Sequence, residues 1–420
     1  MKRSLFQAAC VAIPKGLGGA LTVVLNGVLM TRLPPNEFGV YAISLVLIAL
    51  VDAVPGAAID MSAVKLASSE RLHDRTRAAA IERWGVFIKL ALSLAVVSLA
   101  LTFAEPASVA LFHQNAPELL LLVVVVATGV LLMRSLMMHL QLDQRFAAYA
   151  GLELLAQTLR VCGIGTVLLW FEVSALNLTI AAFTGTVLAV LGGLRIARLQ
   201  PQPWTLPWPE GRALLRTLRW IFATFAVSSM LARVDLLLLA RWSTIDQVGV
   251  FAAAQVYAQI PELLGLCLAV VFSPRLAAAS AEGRLPELMR HVSGGALALA
   301  GVFALAGLAL QHFAAPWLPP GYAASATAFL PLMVGALAGM VAMPLVVPYI
   351  MFTRPGFILS YDLLTLPLLL LAYRYAIIAD GALGAAWVSG ASRTLKALTL
   401  HGCAWHWARR HRGTLLSPSL

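Results

Sequence analysis

Apolar runs of about twenty residues recur along the whole chain, separated by short polar or proline-containing stretches. A run of that length crosses roughly 30 Å of hydrocarbon as a helix. Twelve spans are read, at about 9–31, 39–61, 84–104, 118–139, 147–170, 174–195, 219–240, 248–273, 292–313, 324–350, 356–374 and 380–400. No ten-residue alternation of apolar and polar positions appears, which argues against a membrane β-barrel. The expected fold is an all-α polytopic membrane protein of about 12 transmembrane helices.

The polar positions at the span ends repeat. Arg32 matches Arg241 and Glu37 matches Asp246 at an offset of 209. One inserted residue then shifts the offset to 210. Gly39-Val40-Tyr41-Ala42 matches Gly249-Val250-Phe251-Ala252, Asp52 matches Glu262, and Lys65-Leu66-Ala67 matches Arg275-Leu276-Ala277. Arg145 with Arg354 and Glu153 with Asp362 return to 209. Fixed-period similarity of this kind argues for two homologous halves, and internal repeats are characteristic of membrane transporters. Two pseudo-symmetric six-helix lobes are expected, at 1–195 and 219–400. A cytoplasmic linker, 196–218, joins them, and a basic cytoplasmic tail, 401–420, follows. The linker opens on Pro201, Pro203, Trp204, Pro207, Trp208 and Pro209, where helix cannot continue. Arg212, Leu214, Leu215, Arg216, Leu218 and Arg219 then predict a short amphipathic helix on the membrane surface.

Composition agrees. Of 420 residues, 60% are hydrophobic and 12% charged, with mean hydropathy +0.85; a soluble globular domain carries about twice that charge. The net charge of +11 would point to nucleic acid on a soluble protein. In a membrane protein it records orientation, and no nucleic-acid partner is expected. With the N-terminus in the cytoplasm, 23 of the 30 Lys and Arg fall at cytoplasmic span ends, and only Arg32, Arg241 and Arg374 fall opposite. The remaining four, Lys15, Lys89, Arg160 and Arg233, lie within spans. The positive-inside rule then places both termini in the cytoplasm. Six spans per repeat is even, so the halves share one orientation about an axis along the membrane normal. The start, Met1-Lys2-Arg3-Ser4, resembles a signal peptide. Lys15 interrupts the apolar run and no small-x-small site follows, which predicts an uncleaved first span.

Chemistry-bearing motifs are scarce. There is no phosphate-binding G-x-x-x-x-G-K-[ST] loop, no H-E-x-x-H and no nucleophile elbow. The loops between spans leave no room for a catalytic domain, so an enzyme is not expected, nor a cofactor or metal. Cys10, Cys162, Cys267 and Cys403 form no disulfide framework. His401, Cys403 and His406 make a loose cluster that reads as interfacial tail, with Trp405 and Trp407 at headgroup depth.

Ionisable residues inside spans cost at least about 2.5–3.5 kcal/mol each and mark function or a buried partner. Lys15, Thr22 and Asn26 share one stripe of the first span, and Thr224, Ser228 and Asp235 the matching stripe of the seventh. Both stripes suit the wall of a cavity; Lys15 alternatively snorkels to the interface. Arg233 and Asp235 stand two apart and do not face each other on a helix. Asp52 and Glu262 are repeat-equivalent, near mid-membrane, and close to Pro55 and Pro261. They read either as proton or cation carriers or as structural salt bridges to buried bases. Lys89 reads as snorkelling. Glu153, Gln157 and Arg160 line one face of the fifth span, either as a polar seam or, for Arg160, as part of a site. Lys15, Asn26, Arg160 and Arg233 are the candidate substrate-binding residues, because ammonium and guanidinium groups hold phosphate well. Asp52, Asp235 and Glu262 are the candidate ion-coupling residues.

Arg32–Ala42, R-x-x-x-x-E-F-G-V-Y-A, and Arg241–Ala254, R-x-x-x-x-D-x-x-G-V-F-A-A-A, follow the first span of each half. With Ser273-Pro274-Arg275-Leu276-Ala277 and Gln144-Arg145, they make the chain resemble the polysaccharide transporter family of oligosaccharide flippases. That family lies within the multidrug/oligosaccharidyl-lipid/polysaccharide flippase superfamily. The resemblance spans essentially the whole chain. It implies a V-shaped pair of six-helix lobes around a cationic cavity. It also implies movement of undecaprenyl-diphosphate-linked oligosaccharide across the bacterial inner membrane by alternating access, feeding O-antigen, capsule or exopolysaccharide. Lipid-linked oligosaccharide and membrane lipids are the implied partners, with a polysaccharide polymerase and chain-length machinery as further candidates. Two alternatives remain: an ion-coupled multidrug/toxin extrusion antiporter, which predicts an acid-dominated cavity, and a membrane polymerase or ligase, which predicts a large periplasmic loop.

Overall fold

The computed structural model describes residues 18–19, 21–71, 73–198, 205–265, 268–269, 272, 285–314, 318–352 and 356–410. Among these every regular element is a helix. In order they are α1 (Leu21–Met30), α2 (Pro35–Val51), a π-helical turn (Asp52–Ala57), α3 (Ala58–Glu70), α4 (Arg75–Phe112), α5 (Pro117–Leu142), α6 (Phe146–Trp170) and α7 (Ala175–Ala197). There follow α8 (Trp208–Leu231), α9 (Val234–Trp242), α10 (Ile245–Ala258), a short helical stretch at 260–265, α11 (Leu285–Ala314), α12 (Ser325–Phe352) and α13 (Gly356–Arg410). Nine helices among the described residues are long and apolar enough to cross a membrane. The expected all-α, two-lobed polytopic membrane fold is borne out.

Several boundaries differ from the apolar pattern, each for a local reason. Residues 212–219 do not form a separate surface helix. They are the first turns of α8, continuous with the seventh span. Pro207 and Pro209 occupy the helix start, where a missing amide costs nothing. Leu214 then buries against Ala63, Ala67, Ile81 and Trp84, and Leu218 against Ala58 and Ile59. Trp84 Nε1 donates to the Pro207 carbonyl at 2.8 Å and fixes where α8 begins.

The eleventh and twelfth spans are one element, α13, with no loop between them. Its only non-helical backbone is at Gly381, φ 55° and ψ −123°. Lys396 Nζ donates to Asp362 Oδ1 at 2.6 Å. On a straight helix those residues would stand about 51 Å apart, so the chain folds back at Gly381 into a helical hairpin. A side chain is disfavoured in that backbone conformation, and a single glycine replaces the expected loop.

By contacts the described residues form two compact units. One holds Glu37–Arg241 and Gly18; the other holds Gly19–Asn36 and the residues from Trp242 onward. The leading helix of each expected lobe is therefore exchanged: α1 packs in the second unit, and α8 and α9 pack in the first. The first unit's core includes Leu136, Leu140, Tyr149 and Leu152, the second's Met289, Leu345 and Ala404. Large apolar side chains such as Leu94, Leu169, Leu364 and Leu368 point outward, as suits helices bathed in lipid.

The repeat survives at the level of single hydrogen bonds. In the first unit Glu37 Oε2 accepts from the Ala175 amide at 2.8 Å and caps the N-terminus of α7. In the second unit Gln247 Oε1 accepts from the Ala382 amide at 3.0 Å and caps the second arm of α13. The residue doing the work of Glu37 is thus Gln247, at an offset of 210, rather than Asp246. The inserted residue lies before this position, not after it.

Candidate functional site

The site is built from charged side chains inside the helices, and each unit contains its own set. In the first unit the π-helical turn is the organising feature. Pro55 has no amide to return to the preceding turn, and the helix widens over Asp52–Ala57 instead of breaking. Asp52 opens that turn, which packs against α5 and α8. Arg134 on α5 takes Asp52 in a two-pronged pair, Nε to Oδ1 at 2.5 Å and a terminal nitrogen to Oδ2 at 2.7 Å. About a quarter of each side chain stays exposed.

Two turns further along the same helix, Asp60 pairs with Lys89 of α4. Lys89 is fully buried. It does not snorkel, contrary to expectation. Since α4 starts at Arg75, fourteen residues or about 21 Å of helix lie between that end and Lys89. A four-carbon stem cannot reach the interface from there, and Asp60 supplies the counter-charge locally. Arg134 and Asp52 act electrostatically on this second pair, so the four charges form one alternating group. Tyr149 of α6 also lies within its electrostatic reach.

In the second unit α10 ends at Ala258, one residue before a turn at Gln259, and helix resumes before Pro261. Glu262 follows this break. Arg393, on the second arm of α13, donates to Glu262 Oε1 at 2.7 Å. Asp362, itself buried, takes Lys396 one turn further along. The second unit therefore repeats the scheme of two carboxylates and two bases. The bases come from elsewhere: α5, the fourth span, supplies Arg134, whereas the twelfth span supplies Arg393. The carboxylates Asp52 and Glu262 repeat; their partners do not.

The other candidates are placed as follows. Lys15 lies outside the described residues. Asn26 is buried on α1 within the second unit. Arg160 is half-buried on α6. Gln157 is 3.5 Å from Glu153, at the limit of a hydrogen bond. Arg233 is half-buried in the break between α8 and α9 and acts electrostatically with Asp52 and Asp235. Asp235 is buried in the first turn of α9 and accepts from the Leu236 amide at 2.9 Å. Of the expected residues, the structure thus gathers Asp52, Arg233 and Asp235 in the first unit.

The bases that sequence reasoning missed are Arg134, Arg393 and Lys396. All three count among the basic residues that the positive-inside rule places at cytoplasmic span ends. Arg134 offered a signal, for it interrupts the apolar run Leu131-Leu132-Met133 and Ser135-Leu136-Met137. Among the described residues no group of three His, Cys, Asp or Glu is arranged to hold a metal. His401 Nε2 accepts from Trp405 Nε1 at 2.9 Å.

The chain is a polytopic helical bundle in two repeated units, with paired charges inside its spans. A profile of the polysaccharide biosynthesis protein family matches residues 29–308, and the chain belongs to that family. Solved structures share the fold. The lipid II flippase MurJ, in an inward closed conformation, superposes with TM-score 0.72 at 12% identity, covering 93% of this chain and 86% of that one. A multidrug resistance MATE family transporter in its inward-facing conformation gives 0.71 at 13% identity, covering 99% and 100%. The eukaryotic MATE transporter AtDTX14 gives 0.56 at 15% identity, covering 98% of both chains. No curated protein matches the chain.

Proposed function

We propose that the protein is a flippase for undecaprenyl-diphosphate-linked oligosaccharide in the bacterial inner membrane, with both termini cytoplasmic. It would serve O-antigen, capsule or exopolysaccharide assembly by alternating access of its two lobes. The observation that carries this reading is the family match over residues 29–308, since its members are polysaccharide biosynthesis proteins. The chemistry agrees with it. Lys15, Asn26, Arg160 and Arg233 are the groups for the diphosphate and the first sugar. Asp52, Asp235 and Glu262 are the groups for a coupling proton or cation. Asp52 and Glu262 each rest on a partly exposed arginine. A diphosphate arriving near Arg134 competes with Asp52 for the same guanidinium, and the released carboxylate takes up a proton or cation. That exchange links substrate to ion without any covalent step. Polysaccharide polymerase and chain-length machinery are the partners that would receive the product. The family match favours this reading over a drug antiporter.

The test is export of surface polysaccharide in cells whose own flippase gene is replaced by this one. Arg233→Ala and Lys15→Ala are expected to abolish surface glycan while the protein stays at normal abundance in the membrane. Normal glycan in both variants sinks the diphosphate assignment.

A further inference from the structure

A cavity of about 920 Å³ lies within the first unit. Ligand pockets run to about 300–1,000 Å³, so this one is of working size. Its mouth is made by helix ends: Arg71 after α3, Arg75 at the start of α4, Arg145 before α6 and Arg198 after α7, with Arg83 two turns into α4. Five arginines and His139 face only two acids there, Glu82 and Asp143. The acids are already engaged, Asp143 by Arg71 and Glu82 by His139 at 2.6 Å. Arg145 is committed as well, giving two hydrogen bonds of 2.9 Å to the Ile196 and Ala197 carbonyls at the end of α7. Arg75 and Arg198 are different. Both are exposed, and neither side chain has a hydrogen-bond or ion-pair partner among the described residues.

Deeper in, the lining turns apolar, with Val86, Leu132, Leu136, Val190 and Leu194. Leu132 lies ten residues, or about 15 Å, along α5 from Leu142 at the mouth. A cationic rim over an apolar interior at one end of a helical bundle matches the shape of a phospholipid: phosphodiester first, acyl carbons behind. Basic pockets between membrane helices hold anionic headgroups in this way, and guanidinium forks suit phosphate oxygens.

We propose that this cavity is a phosphate-anion site, filled by the headgroup of an anionic phospholipid with free phosphate as its competitor, and read chiefly by Arg75 and Arg198. It is distinct from the intramembrane charges assigned to transport. Only the choice of leaflet rests on the orientation proposed above. Bound lipid there would tie together α3, α4, α5 and α7, making the bundle sensitive to the charge of the surrounding leaflet.

The experiment is native mass spectrometry and thermal unfolding of the full chain in detergent, with added phosphatidylglycerol, phosphatidylcholine or inorganic phosphate. Retention of phosphatidylglycerol over phosphatidylcholine, weakened at least tenfold in the Arg75→Gln/Arg198→Gln double variant, supports a lipid headgroup. Stabilisation by inorganic phosphate alone, lost in the same variant, supports the site with the free anion as occupant. Equal retention of both lipids and no response to phosphate overturns the proposal, as does selective binding that the double variant leaves intact. Val190→Phe, at the apolar end, should weaken lipid and spare phosphate; it keeps the test open if the double variant fails to fold. Loss of glycan export in Arg233→Ala with lipid retention unchanged concerns the transport reading and leaves this one standing.

Discussion

Removing the Lys89 ammonium alone should damage this protein more than removing the whole ion pair. Lys89 is fully enclosed and Asp60 is only 16% exposed at its side chain. Lys89→Met keeps the stem volume and strands a carboxylate among helices. Breaking one side of a buried pair costs about 3–5 kcal/mol. Asp60 retains some compensation from Arg134, so the lower end, about 3 kcal/mol, is the expected loss. At 1.4 kcal/mol per decade that is roughly a hundredfold shift in the folded-to-unfolded ratio. In Lys89→Met/Asp60→Leu both charges go and apolar groups of similar size replace them, a change that is often neutral or stabilising. The double variant should therefore regain most of the loss. The assay is the unfolding midpoint of purified protein with the amount reaching the membrane as a second measure, for wild type, both single variants and the double. A Lys89→Met variant as stable as wild type, or a double variant losing the sum of its singles, refutes the pairing and restores Lys89 as a snorkelling side chain.

Two further outcomes are expected. Gly249→Ala should be severely destabilising, because a Cβ there would lie 1.9 Å from the Pro35 carbonyl oxygen; a melting curve matching wild type would show that Pro35, the first residue of α2, does not pack on the start of α10. The N-cap of α4 should respond to acid. Asp74 accepts from the Thr76 hydroxyl and the Thr76 and Arg77 amides, and these bonds, the hydroxyl foremost, hold its carboxyl below the usual carboxylate value. A lowered folded-state value means the cap's contribution is complete above about pH 3.9, the unfolded value, and fades as pH falls through the lower folded one. Protection of the Thr76 and Arg77 amides, relative to the unstructured rate at each pH, should fall across that window in wild type and be low at every pH in Asp74→Ala.

Span number and the twofold repeat were legible because both depend on patterns the membrane enforces. Hydrocarbon demands about twenty apolar residues per crossing, and no tertiary contact is needed to see that. Helix ends were harder. Residues 212–219 look like a surface helix when judged by their arginines. They belong to α8 because Leu214 and Leu218 find a core that no linear reading contains. Asp380 and Arg374 look like loop residues, yet helix runs through them to Gly381.

The candidate site divides along the same line. Asp52 and Glu262 could be picked out because they are carboxylates in apolar surroundings at repeat-equivalent places. Their partners could not, since Arg134 and Arg393 come from non-equivalent spans and the repeat does not lead from one to the other. The capping pair teaches the converse. Glu37 and Gln247 differ in charge and sit one register away from the expected match, yet each holds the first amide of a helical arm in its own unit, α7 in one and the second arm of α13 in the other. An amide oxygen and a carboxylate oxygen accept the same bond, so substitution there passes without structural change. A carboxylate that must meet a guanidinium has no such freedom. The duplicated chain therefore kept both acids, while the bases answering them could be re-sited on whichever neighbouring helix faced the gap.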